Sequence, residues 1–162
     1  MSITVRLMLG GASVITGFLL GELYAKRLKR EHEAAAQLLR ATKLLKTAVC
    51  GYSHGLGEGL SFAISGDSCK LFEDMRDALE SDGDLLGIIS TSQHPAAIKN
   101  VMAQLVRTIT VGSAEDIALA FEESLQQLSS YTKDLGAAYK QNAAMYRKLG
   151  VLAGVGVFIL LI

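Results

Sequence analysis

The chain has 162 residues; half are hydrophobic, a fifth are charged, and the mean hydropathy is +0.32. The length fits one domain, or one small domain plus membrane segments. The composition is too apolar for a disordered chain and more apolar than that of an ordinary small soluble protein. A single proline and no tryptophan favour helices over a turn-rich β-sandwich. Two cysteines are too few for a disulfide scaffold, so the fold is expected to be held by packing alone.

The net charge of zero conceals a division along the chain. Residues 1–30 and 147–162 hold seven basic residues and one acid, whereas residues 31–146 hold nine basic residues and fifteen acids. An acidic central domain argues against nucleic-acid binding, because phosphate contacts need a basic face. The basic residues of the ends lie where apolar segments meet the central domain, which is typical of a membrane protein.

The first predicted element is the apolar segment from Leu7 to Tyr24, LMLGGASVITGFLLGELY. Its eighteen residues cross most of a ~30 Å hydrocarbon layer. A secretory signal peptide is the rival interpretation, but no A-x-A cleavage site follows and the chain continues directly into KRLKR. The pattern therefore predicts an uncleaved transmembrane anchor over residues 1–24.

A long helix is predicted from Glu22 through about Val49, rich in strong helix formers. Its apolar positions fall on one helical face. These positions are Leu28, Ala35, Leu38, Leu45 and Val49. The glycine-rich residues 51–68 are predicted to form a loop around a short helix near 60–65.

Local signals divide the middle of the chain into short helices. Ser68 is placed to cap a helix over 69–81, and residues 81–84 are predicted to form a turn. A short helix is expected near 85–91, and Pro95 is expected to open another that ends near Ile109.

The last helix is predicted to start at Ser113-Ala114-Glu115-Asp116, which has the pattern of a capping box. Beyond it, apolar residues alternate at spacings of four and three, so one rod could run to the chain end. This seam consists of Ile117, Phe121, Leu128, Tyr131, Leu135, Ala138, Met145 and Leu149. The expected fold is all-α: a small antiparallel bundle of two long helices, closed at its far end by the shorter ones.

The chain ends in fourteen apolar residues, Leu149 to Ile162. As a helix they span about 21 Å, so a buried core helix competes with a membrane segment. The absence of a polar residue on any face favours the membrane. The predicted division is a transmembrane anchor over 1–24, a cytoplasmic helical bundle over 25–148, and a hydrophobic or transmembrane segment over 149–162.

Basic residues flank both apolar segments on the side of the central domain. By the positive-inside rule they place that domain in the cytoplasm and the protein in the cell membrane. This topology-setting flank consists of Lys26, Arg27, Lys29, Arg30, Arg147 and Lys148.

Each apolar segment also carries small residues at helical spacing, which allow two helix backbones to approach closely in lipid. They are Gly10, Ser13, Gly17, Gly21, Gly150 and Gly154. Two interpretations stay open: the segments pair with each other or with a partner's membrane helix, or the glycines reflect only their high frequency in membrane helices.

No catalytic residue, metal ligand or cofactor is predicted. The glycines of residues 55–59 lack the G-K-[ST] ending and follow a helix, unlike a phosphate-binding loop. Cys50 and His54 lack both the second ligand pair of a zinc site and the orienting third group of a nucleophile. A small membrane-bound enzyme using Cys50 or His54 is kept as the alternative.

Six carboxylates lie within twelve residues of the middle segment. Their spacing does not fit a calcium-binding loop. They are either a solvated helix face or a docking surface for a basic partner. The residues are Glu73, Asp74, Asp77, Glu80, Asp82 and Asp84.

The C-terminal stretch AAMYRKLGVLAG, residues 143–154, with the aliphatic run ending ILLI, resembles the end of the stage III sporulation protein AB family. The opening is similar too: a glycine-bearing apolar segment, then a charged helix leading to Tyr52. Many relatives have an acid-Ile-x-Tyr segment followed by proline-leucine, where this chain has Val49-Cys50-Gly51-Tyr52 and Leu56.

The resemblance implies a membrane protein made by the mother cell during endospore formation, within the channel to the forespore. It also implies a bundle similar to the inner-membrane platform (type II secretion F) domain, which sits beside a cytoplasmic ATPase. The expected function is therefore a non-enzymatic platform whose partners are the channel's other components, its ATPase and membrane lipid. Neither nucleic acid nor a small-molecule substrate is expected. A soluble helical bundle with apolar ends as core is the other rival.

Overall fold

The computed structural model describes the backbone of residues 3–161 and all side chains except those of 1–11, 13, 14, 143, 144, 147, 154, 157, 158 and 160–162. The described backbone is helical nearly throughout and contains no strand, which confirms the all-α prediction. A π-helical turn over Thr47–Gly51 follows the first helix. The α-helices are α1 (Ile3–Lys46), α2 (Leu56–Gly66), α3 (Lys70–Glu80), α4 (Leu85–Thr91), α5 (Ala96–Val111) and α6 (Ala114–Leu161).

The chain packs as two compact units. Residues 34–132 form one unit, here called the bundle. The other, here called the terminal helix pair, consists of α1 up to Glu33 and α6 from Lys133 onward. The two long helices contribute to both units, as the uninterrupted heptad patterns predict.

The core of the bundle receives apolar side chains from all six helices. On α1 the predicted stripe is buried at Ala35, Leu38 and Leu45. On α6 the predicted seam is buried at Phe121 and Leu128. The remaining large core side chains, all nearly inaccessible to solvent, are Leu60, Phe72, Met75, Ile89, Met102 and Leu105.

Two helix starts follow their local sequence signals. The Asp84 carboxylate accepts a hydrogen bond from the Leu86 N–H at 3.0 Å, which fixes the start of α4. The Ser113 hydroxyl accepts from the Asp116 N–H at 3.2 Å, and the Asp116 carboxylate accepts from the Ser113 N–H at 3.1 Å. This reciprocal pair is the predicted capping box. The Ser113 hydroxyl also donates to the Asp116 carboxylate at 2.6 Å, and this hydrogen bond is the main cause that lowers the pKa of Asp116.

The prediction that Ser68 caps α3 is wrong. Cys69 occupies the N-cap position, and its carbonyl accepts from the Phe72 and Glu73 N–H groups at 2.9 and 3.0 Å. Ser68 instead donates its hydroxyl to the Glu73 carboxylate at 2.6 Å. The helix starts one residue later because both Cys69 and Phe72 are buried, which fixes the rotation of its first turn.

Gly59 lies where α2 crosses the end of α1, and this crossing predicts a measurable cost for any added side chain. A Cβ at Gly59 would lie 2.9 Å from Leu45 Cδ1 and 3.1 Å from Val49 Cγ2. We expect Gly59→Ala to lower the free energy of unfolding by about 1–3 kcal/mol, since overpacking outweighs the better helix propensity of alanine.

The matched control is Gly57→Ala in the same helix, because a Cβ at Gly57 would make only an ordinary contact, at 4.0 Å from the Leu79 Cδ1. Urea unfolding of the full chain in non-ionic detergent, followed by circular dichroism, compares the two variants. A Gly59→Ala protein as stable as Gly57→Ala would contradict the close crossing.

Candidate functional site

The helices of the terminal pair approach each other closely at glycines. A Cβ at Gly150 would collide with the Gly17 carbonyl oxygen and would lie 3.6 Å from the Gly21 Cα. The structure thus brings together three of the small residues singled out in the sequence, within one chain. The other three, Gly10, Ser13 and Gly154, lie outside the described side chains.

Two further contacts show the relative direction of the two helices in the pair. The rings of Tyr24 and Tyr146 lie 4.2 Å apart between centroids, tilted by 51°. Farther along α1, a Cβ at Gly136 would lie 3.0 Å from the His32 Cε1, so this position accommodates the imidazole because it lacks a side chain. The contacts advance along α1 as they retreat along α6, so the two helices run antiparallel.

The terminal pair exposes many large apolar side chains. Each of them leaves between 37% and 67% of its surface uncovered by this chain. So many uncovered apolar groups are unusual for a protein surface that faces water. They are Ile15, Phe18, Leu19, Leu20, Leu23, Met145, Leu149, Val151, Leu152, Val155 and Ile159.

The predicted seam of α6 therefore changes from buried to exposed along the helix. It is buried at Phe121 and Leu128 in the bundle, whereas Met145 and Leu149 in the terminal pair are 45% and 49% exposed. Among the residues that the structure describes, no helix is long and apolar enough to cross a membrane. Both predicted membrane segments, 7–24 and 149–162, include residues outside that described part.

The basic residues of the flank whose side chains the structure describes are all exposed. Arg27 pairs with Glu31 at 3.0 Å, and Lys29 with Glu33 at 3.5 Å, each one helical turn apart. Exposed ion pairs of this kind contribute only about 0.3–0.5 kcal/mol to the free energy of unfolding. The stability that they add therefore does not explain why the basic residues cluster here. Lys26, Arg30 and Lys148 are exposed as well, and Arg147 lies outside the described side chains.

The six acids singled out in the sequence lie along α3 and the turn that follows it. Because α3 buries Leu71, Phe72, Met75 and Ala78, its acids project outward. Glu73 is half-buried, and the others are exposed. We call this set, defined by the six residues of the sequence analysis, the acidic face.

Part of the acidic face is engaged locally. Asp77 accepts from the Arg76 guanidinium at 2.8 Å, and Glu80 lies 3.8 Å from it. Asp84 caps α4, and Glu73 accepts from Ser68. The six carboxylates outnumber the one guanidinium that pairs with them, so the acidic face keeps a negative potential.

Cys50 and His54 belong to the connection between α1 and α2. Cys50 is exposed, and among the described residues no hydrogen bond joins it to His54. The His54 Nδ1 lies 3.3 Å from the Glu58 Oε2, within ion-pair distance when the imidazole is protonated, but it is not aligned for a hydrogen bond. The other cysteine, Cys69, is buried, and burial raises the pKa of its thiol.

A groove of about 540 Å³ lies between α2 and α3, lined in part by His54, Glu58 and Glu80, and no pattern in the sequence predicted it. Beside it lie two exposed aromatic residues, Tyr52 and Phe62. Tyr52 falls in the predicted loop, and Phe62 falls in the short helix predicted near 60–65, which is α2 in the structure. Tyr52 was the available signal, because a loop lies at the surface and exposes an aromatic ring that it carries.

Within the described part of the chain, no group of three or more histidine, cysteine, aspartate and glutamate side chains could hold a metal ion.

Comparison with curated proteins and with solved structures finds no match. The family model for stage III sporulation protein AB, in contrast, matches residues 6–162, which include the middle of the chain as well as its C-terminal motif. The chain therefore belongs to the stage III sporulation protein AB family.

Proposed function

We propose that this stage III sporulation protein is a non-enzymatic membrane platform of the channel between mother cell and forespore. Its terminal helix pair anchors it in the mother-cell membrane, and its bundle docks partners on the cytoplasmic side. The observation that carries the proposal is the set of large apolar side chains that the terminal pair leaves uncovered.

These side chains need an apolar environment. Transferring a fully exposed leucine-sized side chain out of water gains about 1.5–3 kcal/mol, so the eleven half-exposed ones together correspond to roughly 10 kcal/mol. A lipid bilayer supplies that environment. The contact between Gly17 and Gly150 supports a hairpin in lipid, since close backbone packing replaces the hydrophobic effect there.

The charges support one orientation. The basic flank follows the apolar part of α1 and precedes that of α6, which favours the cytoplasm for the bundle. Residues 34–132 hold seven basic and twelve acidic residues, so an anionic lipid surface does not attract the bundle. Its acidic face is then available to a basic partner, and by fold-level analogy with secretion platforms that partner is a secretion-type ATPase.

A cysteine-accessibility map tests the anchoring. Single cysteines are placed at Ser2, Ser81 and Ile162 of the full chain, in a background without Cys50 and Cys69. The chain is expressed in vegetative cells, which are exposed to a membrane-impermeant thiol reagent. We expect labelling at both termini of intact cells, and labelling at Ser81 only after permeabilisation.

Permeabilised cells provide the control, because every position must react there. If no position is labelled in intact cells and all three are labelled after permeabilisation, both ends are inside the cell and the membrane platform is excluded.

A further inference from the structure

Three rings cluster on the surface of the bundle where α1 leads into α2. The Tyr52 ring lies 5.8 Å from the His54 ring and 5.9 Å from the Phe62 ring, edge-on to both. Tyr52 is 63% exposed and Phe62 is 38% exposed. Such rings bury a large area when a second protein covers them, and aromatic residues are enriched where binding energy concentrates.

The backbone holds this aromatic cluster in place. The Tyr52 N–H donates to the carbonyls of Thr47 and Ala48, at 3.3 and 3.2 Å, and the His54 N–H donates to the Ala48 carbonyl at 3.1 Å. Ser53, between the two rings, adopts the left-handed conformation with φ 55°. A ring presented by a hydrogen-bonded turn loses little conformational entropy on binding, which favours affinity.

His54 also lines the groove between α2 and α3, so the aromatic cluster and the groove meet at this residue. Leu79 and Gly57 provide an apolar lining; a Cβ at Gly57 would lie 4.0 Å from the Leu79 Cδ1. The volume of about 540 Å³ lies in the range of ordinary binding clefts and is large enough for several side chains.

The rim of the groove is negative. The Glu58 and Glu80 side chains are 75% and 73% exposed. The guanidinium in the groove lining, Arg76, is paired with Asp77 at 2.8 Å, and its Nε also lies 3.8 Å from the Glu80 carboxylate. This one cation faces the three carboxylates of Glu58, Asp77 and Glu80, so the net charge around the groove stays negative. The charge complement of this rim is a cation beside an apolar group, and an anionic lipid headgroup is disfavoured.

We propose that this surface is the docking site for a cationic, apolar segment of another protein. An aliphatic or aromatic side chain of that segment packs on Tyr52 and Phe62, and an arginine or lysine reaches Glu58 and Glu80. The inference rests on the proposed platform function, because it specifies the chemistry of a partner. It extends the docking surface beyond the acidic face to the aromatic residues beside it.

Photo-crosslinking of the full chain in non-ionic detergent tests the site. The benzophenone amino acid p-benzoyl-L-phenylalanine replaces Tyr52, and two sixteen-residue helical peptides serve as probes. Both probes have the same leucine pattern, with arginine on the polar face of one and glutamate on that of the other. We expect at least about tenfold more adduct with the arginine peptide, by mass spectrometry, and loss of that preference in a Glu80→Lys background.

The matched control places the same benzophenone at Leu119, which is also on the bundle surface and 59% exposed. Equal labelling of the two peptides at position 52, or the same preference at position 119, would overturn the proposal. Adducts between two copies of the chain as the main product would also overturn it, since a second copy would then occupy the surface. The accessibility map of the terminal pair involves none of these residues, so failure of the platform function is recognised separately.

Discussion

Replacing Gly150 by leucine is expected to separate the two helices of the terminal pair. A Cβ added at this position would collide with the Gly17 carbonyl oxygen and would lie 3.6 Å from the Gly21 Cα. Neither obstacle is a flexible side chain that can rotate away. Overpacking against fixed atoms costs about 1–3 kcal/mol, and every ~1.4 kcal/mol changes the equilibrium constant between paired and separated helices by a factor of ten.

Crosslinking across the pair measures this separation. Cysteines replace Tyr24 and Tyr146, whose rings are 4.2 Å apart between centroids, in a background without Cys50 and Cys69. A short bifunctional thiol reagent should join them readily in the parent chain. We expect Gly150→Leu to lower the crosslinked fraction at limiting reagent by about tenfold, and to lower the yield of heat-resistant spores in the otherwise natural sequence.

Gly156→Leu is the matched control, because a Cβ at Gly156 would meet no atom within 4 Å. It introduces the same side chain into the same helix, so it should crosslink like the parent. If both variants crosslink like the parent, the glycine contact does not set the spacing of the helices.

The contrast between these two glycines shows where sequence reasoning stops. Periodicity indicated that Gly17, Gly21 and Gly150 lie on helix faces, because spacing along a helix is a local property. It left open whether the partner is the same chain or another protein. That choice depends on which helix lies opposite, which spacing along one helix does not specify. The contact between Gly150 and Gly17 is seen only in three dimensions, where it lies within the chain.

The same division applies to the helices of the bundle. Burial dictates the seam of α6, so Phe121 and Leu128 could be identified from spacing alone, and the capping box at Ser113 is local hydrogen-bond chemistry. The groove beside Tyr52 could not be predicted in this way. It exists because Gly59 lets α2 cross α1 closely and because α2 then packs beside α3, and both depend on residues far apart in sequence.

The start of α3 shows how tertiary packing overrides a local signal. Ser68 has the stronger capping side chain, yet Cys69 takes the N-cap position without a side-chain hydrogen bond. Burial of Phe72 gains about 1.5–3 kcal/mol, which exceeds the ~1 kcal/mol typical of a serine cap. The larger effect therefore sets the rotation of α3, and with it the outward direction of the acidic face.

Phe72→Ala is accordingly expected to have a large effect on the stability of the bundle. The side chain is fully buried among residues of the other helices, so its removal leaves a cavity and costs about 3–5 kcal/mol. That is a large share of the 5–15 kcal/mol typical of a whole domain. Urea unfolding in non-ionic detergent, followed by circular dichroism, should show a midpoint shift of that size.

Two comparison variants, one on α6 and one on α3, separate stability from docking. Leu119→Ala truncates an apolar side chain that is 59% exposed, and it should change the free energy of unfolding by less than about 0.5 kcal/mol. Asp74→Lys reverses a charge on the outer side of α3. It should also leave the free energy of unfolding unchanged, while it weakens the binding of a basic partner to the acidic face.

Phe72→Ala should lower the yield of spores together with the amount of folded protein, whereas Asp74→Lys should lower the spore yield at normal protein levels. A Phe72→Ala chain with normal stability would mean that α3 does not pack through this residue, and the outward direction of the acidic face would lose its basis.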